Sequence, residues 1–130
     1  MNEKELVIKA IEAQKNSYSP YSGFSVGAAL LSSDGEIFTG VNIENASYGL
    51  TNCAERTAFF KAVSEGKKIF EAIAVAGGET YLPPCGACRQ VMAEFCDENF
   101  KIIFVKNEND YVIKTLGEIL PFSFSEVDMK

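Results

Sequence analysis

Two cysteine motifs constrain this chain more than any other feature: Cys53-Ala54-Glu55, and further on Pro84-Cys85-Gly86-Ala87-Cys88. Each stands where a loop or strand-like segment gives way to a helical pattern, so a fold that uses both must bring two helix starts to one edge of a sheet. Helix starts carry free backbone N–H groups and a positive dipole end, which favour thiolate over thiol. Cys53, Cys85 and Cys88 can fill three of the four tetrahedral positions of zinc and leave the fourth for water. Glu55, a carboxylate two residues from one ligand, can move protons at that water. The chain contains no histidine, so acid–base and metal chemistry must rest on cysteine and carboxylate.

The remaining pattern supplies the scaffold. Asn2 followed by Glu5 reads as a capping pair, and Leu6, Val7, Ala10 and Ile11 recur at helical spacing, so a first helix is expected to about residue 16. Turn formers over 17–23 end it. Residues 24–31 and 36–41 are two β-type runs on either side of Ser33-Asp34-Gly35, which together form a hairpin signal. A loop over 42–51 leads to Asn52, the expected N-cap of a helix whose Ala54, Ala58, Phe59, Ala62 and Val63 face one way until Gly66. Residues 69–76 read as a buried strand. A third helix carries Cys88, Val91, Met92, Phe95 and Cys96 on its apolar face. Strands over 101–105 and 111–115 flank a polar turn, and a helical turn over 116–120 stops at Pro121. The order αββαβαββ requires crossover connections and predicts a three-layer α/β/α fold on a five-stranded mixed sheet.

Size and charge bound the function. At 130 residues the chain suits one domain, 1–130, able to bury roughly two thirds of its unfolded surface. Hydrophobic residues at 47% and charged residues at 23% are ordinary for a soluble globular protein. No run approaches the ~18 apolar residues of a membrane span. A net charge of −6 and a pI near 4.7 argue against a nucleic-acid partner, whose phosphates require an excess of lysine and arginine on one surface. The start Met1-Asn2-Glu3-Lys4-Glu5 lacks the basic and apolar regions of a secretory signal, so the cytoplasm is the expected compartment. Clustered cysteines in that reducing setting hold metal more readily than disulfides.

Each part of the motif has a plainer reading. Glu55 follows Asn52 by three residues and could complete a capping box. Cys88 and Cys96 lie on an apolar helical face, where a free cysteine acts as a small hydrophobe. A single C-x-x-C also suits a redox pair or half of a structural zinc site. Their coincidence with a third cysteine, an offset carboxylate and a proline before the C-x-x-C favours the catalytic metal reading, with Cys96 outside it.

These motifs also carry a resemblance. A ligand-x-Glu followed by Pro-Cys-x-x-Cys is the signature of zinc deaminases, including their three-cysteine form. The chain resembles the small homotetrameric zinc-dependent cytidine deaminases over nearly its whole length. The likeness runs through Tyr21-Ser22-Gly23-Phe24-Ser25-Val26-Gly27-Ala28-Ala29-Leu30, Gly40-Val41-Asn42-Ile43-Glu44-Asn45-Ala46-Ser47-Tyr48, Cys53-Ala54-Glu55-Arg56-Thr57-Ala58 and Pro84-Cys85-Gly86-Ala87-Cys88-Arg89-Gln90-Val91.

The resemblance implies hydrolytic deamination of cytidine and deoxycytidine to uridine and deoxyuridine with release of ammonia, a step of pyrimidine salvage. It implies one zinc ion per subunit on Cys53, Cys85 and Cys88, with Glu55 as proton shuttle. Three thiolates leave the metal site with excess negative charge, and Arg56 is the nearest compensating cation, implied to hydrogen-bond the ligands from behind. Phe24 is implied to pack the base, Asn42 and Glu44 to hydrogen-bond the sugar 3′-hydroxyl, and Ala54 to donate its backbone N–H to the pyrimidine. Glu44 would also repel a 3′-phosphodiester, favouring a free nucleoside. Tyr48 and Phe124 match positions that reach into neighbouring subunits of a homotetramer. The rival readings are a deaminase of a related aminopyrimidine, such as the blasticidin S deaminases, and a structural-zinc or redox binding module.

Overall fold

A computed structural model describes residues 2–77 and 86–119 of the protein. Helix α1 spans Glu3–Ala13 and is capped by Asn2, whose side chain accepts the Glu5 N–H at 3.2 Å. Its Leu6, Val7, Ala10 and Ala13 are buried, the face that the helical spacing predicts. A 3-10 turn over Gln14–Asn16 carries it to the expected end. Strands β1, Gly27–Ser32, and β2, Ile37–Val41, form the antiparallel hairpin. Helix α2 spans Ala54–Ser64, β3 Phe70–Ala76, α3 Gly86–Phe95, β4 Lys101–Asn107 and β5 Asp110–Thr115, before a short α4, Leu116–Ile119.

The five strands make one mixed sheet in the order β2-β1-β3-β4-β5, with β3 and β4 parallel and the other pairs antiparallel. The parallel pair is joined across α3, as a crossover demands. Alternation along the central strands splits the core into two layers. Ala28, Leu30, Ile73, Val75, Ile102 and Phe104 face α2 and α3, where Phe59 sits with its ring centroid 5.1 Å from that of Phe70. Ala29, Leu31, Ala72, Ala74, Ile103 and Val105 face α1. The predicted three-layer arrangement is therefore the observed one.

Two local differences matter for the site. First, β1 begins at Gly27 rather than at residue 24. The Val26 N–H is taken at 2.9 Å by the side-chain oxygen of Asn42, and the Phe24 carbonyl accepts from Asn42 Nδ2 at 2.8 Å, so a side chain replaces ladder bonds there. Second, Cys53, not Asn52, is the N-cap of α2. Asn52 is held in a bridge with Ile43, each N–H bonding the other's carbonyl at 2.9 Å, which leaves it extended one residue before the cap.

Gly40 sets how closely α2 approaches the sheet. A Cβ there would lie 2.4 Å from the Ala54 carbonyl oxygen and 2.5 Å from the Ala58 nitrogen. Strand β2 and the first turns of α2 thus touch backbone to backbone, which only glycine permits.

Candidate active site

The start of α2 is built from the loop inward. Segments 18, 43 and 52 lie side by side, since Ile43 bridges both Tyr18 and Asn52. This brings Asn42 and Glu44 next to the residues entering the helix. The Thr57 hydroxyl donates to the Cys53 carbonyl at 3.0 Å and accepts from Asn52 Nδ2 at 3.0 Å, so the side chain of Asn52 ties down the cap instead of forming it. Glu55 is therefore not the partner of Asn52 in a capping box. Its side chain is buried, at 5% exposure.

Burial pushes the Glu55 carboxyl up to about 7, because removing the charged form from water is costly, and the charge of Cys53 pushes the same way. Its own backbone N–H, a hydrogen bond with Cys88 and the charge of Arg56 oppose that shift. Cys53 and Cys88 thus act on the same carboxylate in opposite senses. Arg56 Nη2 donates to Cys53 Sγ at 3.4 Å. The guanidinium is held above its ordinary value, first by that bond and also by one to Cys88. Its Nε is buried without a hydrogen-bond partner.

Cys53, Glu55, Arg56 and Cys88 are consequently brought together. Soft sulfur donors backed by a cation at a helix start suit Zn²⁺, so the donor chemistry fits. Among the described residues no group of three His, Cys, Asp or Glu side chains forms a metal cluster, and the third predicted ligand, Cys85, lies outside them, as does Phe124. Cys96 follows α3 and packs against the α2–α3 core, where burial pushes its thiol up to about 12.

Three of the predicted substrate residues, Phe24, Asn42 and Glu44, share a second hydrogen-bond network. Phe24 is 42% exposed. Asn42 accepts from the Ser17 hydroxyl and from Val26, and donates to Phe24. Glu44 accepts from the backbone of Tyr21 and Ser22 and from the Ser22 hydroxyl, which hold its carboxyl below its usual range. Ala54 is fully buried, and the first intrahelical bond of α2 runs from Thr57 N to Cys53 O, so the Ala54 N–H lies in the unsatisfied first turn. Tyr48 stands on a 3-10 turn, Tyr48–Leu50, at 88% exposure. Sequence reasoning missed Ser22, Thr57 and Gly40. Ser22 passes for an ordinary turn former, and the other two act through the backbones they touch.

A mixed sheet with a buried carboxylate and two thiols brought together from the starts of α2 and α3 suits a metal-dependent hydrolase. Residues 1–104 match the family described as cytidine and deoxycytidylate deaminase zinc-binding region. A cytidine deaminase of Halalkalibacterium halodurans is 53% identical over 130 residues, covering 99% of this chain and 98% of the relative. The crystal structure of a cytidine deaminase from Burkholderia pseudomallei superposes with a TM-score of 0.90 at 46% identity, covering 95% of this chain and all of that one. A blasticidin-S deaminase of Bacillus cereus is more distant, 32% identical over 110 residues and covering 77% of this chain and 76% of the relative. The chain belongs to the cytidine deaminase family. No helix among the described residues is long and apolar enough to cross a membrane.

Proposed function

We propose that the chain hydrolyses the exocyclic amine of cytidine and deoxycytidine to give uridine or deoxyuridine and ammonia, as a cytoplasmic enzyme of pyrimidine salvage. The observation that carries the mechanism is Glu55, a buried carboxylate that interacts with both Cys53 and Cys88 and whose burial pushes its pKa up. Such a group can take and return protons at neutral pH. One zinc ion per subunit, held by Cys53, Cys85 and Cys88, would supply the Lewis acidity that makes water nucleophilic without a histidine base.

Glu55 accepts a proton from the attacking water and delivers it to pyrimidine N3 as the C4–O bond forms. It then passes the remaining hydroxyl proton to the amine as the C4–N bond breaks. Arg56 offsets the thiolate charge, which would otherwise hold Glu55 protonated. Phe24 packs the base, the Ala54 N–H donates to the pyrimidine, and Asn42 with Glu44 selects a free 3′-hydroxyl. Tyr48 and Phe124 are assigned to neighbouring sites of a homotetramer; the near-complete exposure of Tyr48 supports a partner for it.

A substrate panel tests this reading. Loss of ultraviolet absorbance with cytidine and deoxycytidine, but not with cytosine, cytidine monophosphate or blasticidin S, is expected. Bound zinc with no turnover of any aminopyrimidine would instead make the chain a structural-zinc module. Glu55→Gln should keep zinc and lose ~10²–10⁴ in rate.

A further inference from the structure

Phe24 is held at both ends of its peptide unit by residues of the sugar-facing network. Its carbonyl accepts directly from Asn42 at 2.8 Å, and its N–H donates to Ser22 Oγ at 3.0 Å. The Ser22 hydroxyl donates in turn to Glu44 Oε2. Meanwhile Glu44 Oε1 accepts the N–H groups of Tyr21 at 2.9 Å and of Ser22 at 3.0 Å.

Counting acceptors shows what this leaves for a ligand. Each carboxylate oxygen offers two lone-pair directions. Two backbone donors fill those of Oε1, and Ser22 fills one at Oε2. A single acceptor direction remains on Glu44, on the oxygen that Ser22 orients. Tyr21, Ser22 and Phe24 are all exposed, so hydrogen bonds rather than core packing fix this loop. Gly23, at φ 69°, provides the left-handed turn by which the Ser22 hydroxyl meets the N–H two residues on.

From this geometry we infer that Ser22 is a positioning residue that couples the two ends of the substrate site, aiming Glu44 at the nucleoside 3′-hydroxyl while fixing Phe24 against the base. The inference rests on the roles proposed above for Phe24 and Glu44. Ser22 acts through Glu44 and the Phe24 backbone, so its effect belongs in substrate affinity rather than in proton transfer.

The experiment measures kcat and KM of wild type, Ser22→Ala and Glu44→Ala with cytidine and 3′-deoxycytidine. Ser22→Ala should raise KM for cytidine about ten-fold, as for one lost hydrogen bond to a charged group, with a much smaller change in kcat. Its penalty should be smaller with 3′-deoxycytidine, which lacks the hydroxyl that Glu44 receives. An unchanged KM for cytidine in Ser22→Ala, alongside a raised KM in Glu44→Ala, overturns the coupling and leaves the substrate assignment standing. A penalty equal for both nucleosides also overturns it, because the sugar link is then absent. If Glu44→Ala leaves KM for cytidine unchanged, the assignment of Glu44 falls and the coupling falls with it.

Discussion

Arg56 and Cys53 are joined by a hydrogen bond of 3.4 Å from Nη2 to Sγ, three residues apart on the opening turn of α2. The same guanidinium bonds Cys88 from α3, so one cation serves thiols delivered by two helices. In the zinc site proposed above, that cation would offset the charge of the thiolates. A group that orients metal ligands in this way typically contributes 10- to 100-fold in metal affinity or activity. Arg56→Gln should therefore lose zinc to a competing chelator more readily and lower kcat/KM by about 10²; wild-type zinc retention would show that Arg56 does not support the metal ligands.

Glu55 makes a signed prediction for the metal-free protein. Its folded pKa of about 7 lies above the ordinary 4.5, so the folded state binds the proton more tightly than the unfolded one. The associated stability is fully present below 4.5 and is lost as pH rises through about 7. After zinc is stripped by chelation, the melting temperature should decline over that window. The decline should be smaller in Glu55→Gln, which has no proton to lose; parallel pH profiles for the two proteins would contradict the raised pKa.

Gly40 links fold to site. A methyl group there meets backbone atoms of Ala54 and Ala58 that cannot turn aside. Gly40→Ala should cost about 1–3 kcal/mol by overpacking. Because Cys53, Ala54 and Glu55 ride on the displaced turn, activity at a temperature where the variant is folded should also fall. A destabilised variant with wild-type kcat would show that the turn adjusts without moving Glu55.

Cys96 should behave unlike the other cysteines. Burial and the neighbouring Asp97 push its thiol up to about 12, so almost none of it is thiolate at neutral pH. Mass spectrometry after brief alkylation of the native protein should find Cys96 unmodified, and Cys96→Ala should retain its zinc. Metal loss in that variant would bring Cys96 into the ligand set.

Much of the scaffold can be read along the chain because its signals are local. Helical spacing at Leu6, Val7 and Ala10, the hairpin turn at Ser33-Asp34-Gly35 and the apolar strand runs each express a short-range preference that the sheet then satisfies. Where a local rule met a tertiary contact, the contact prevailed. Asn52 is a good cap by residue type, yet its bridge to Ile43 shifts the cap to Cys53. Residues 24–26 are strand-like, yet the Asn42 side chain takes the Phe24 carbonyl and the Val26 N–H.

The cysteine motifs, the lone offset carboxylate and the absence of histidine narrow from sequence alone the chemistry this protein can attempt, because they limit the available donors and bases. Tertiary structure decides how those groups behave. Burial, which no residue possesses by itself, turns Glu55 from a capping candidate into a carboxyl that titrates near neutrality. Helix packing gives Cys53 and Cys88 a common arginine. The Ser22 to Glu44 bond joins positions far apart in the chain, and only the folded loop shows that the two ends of the site are tied.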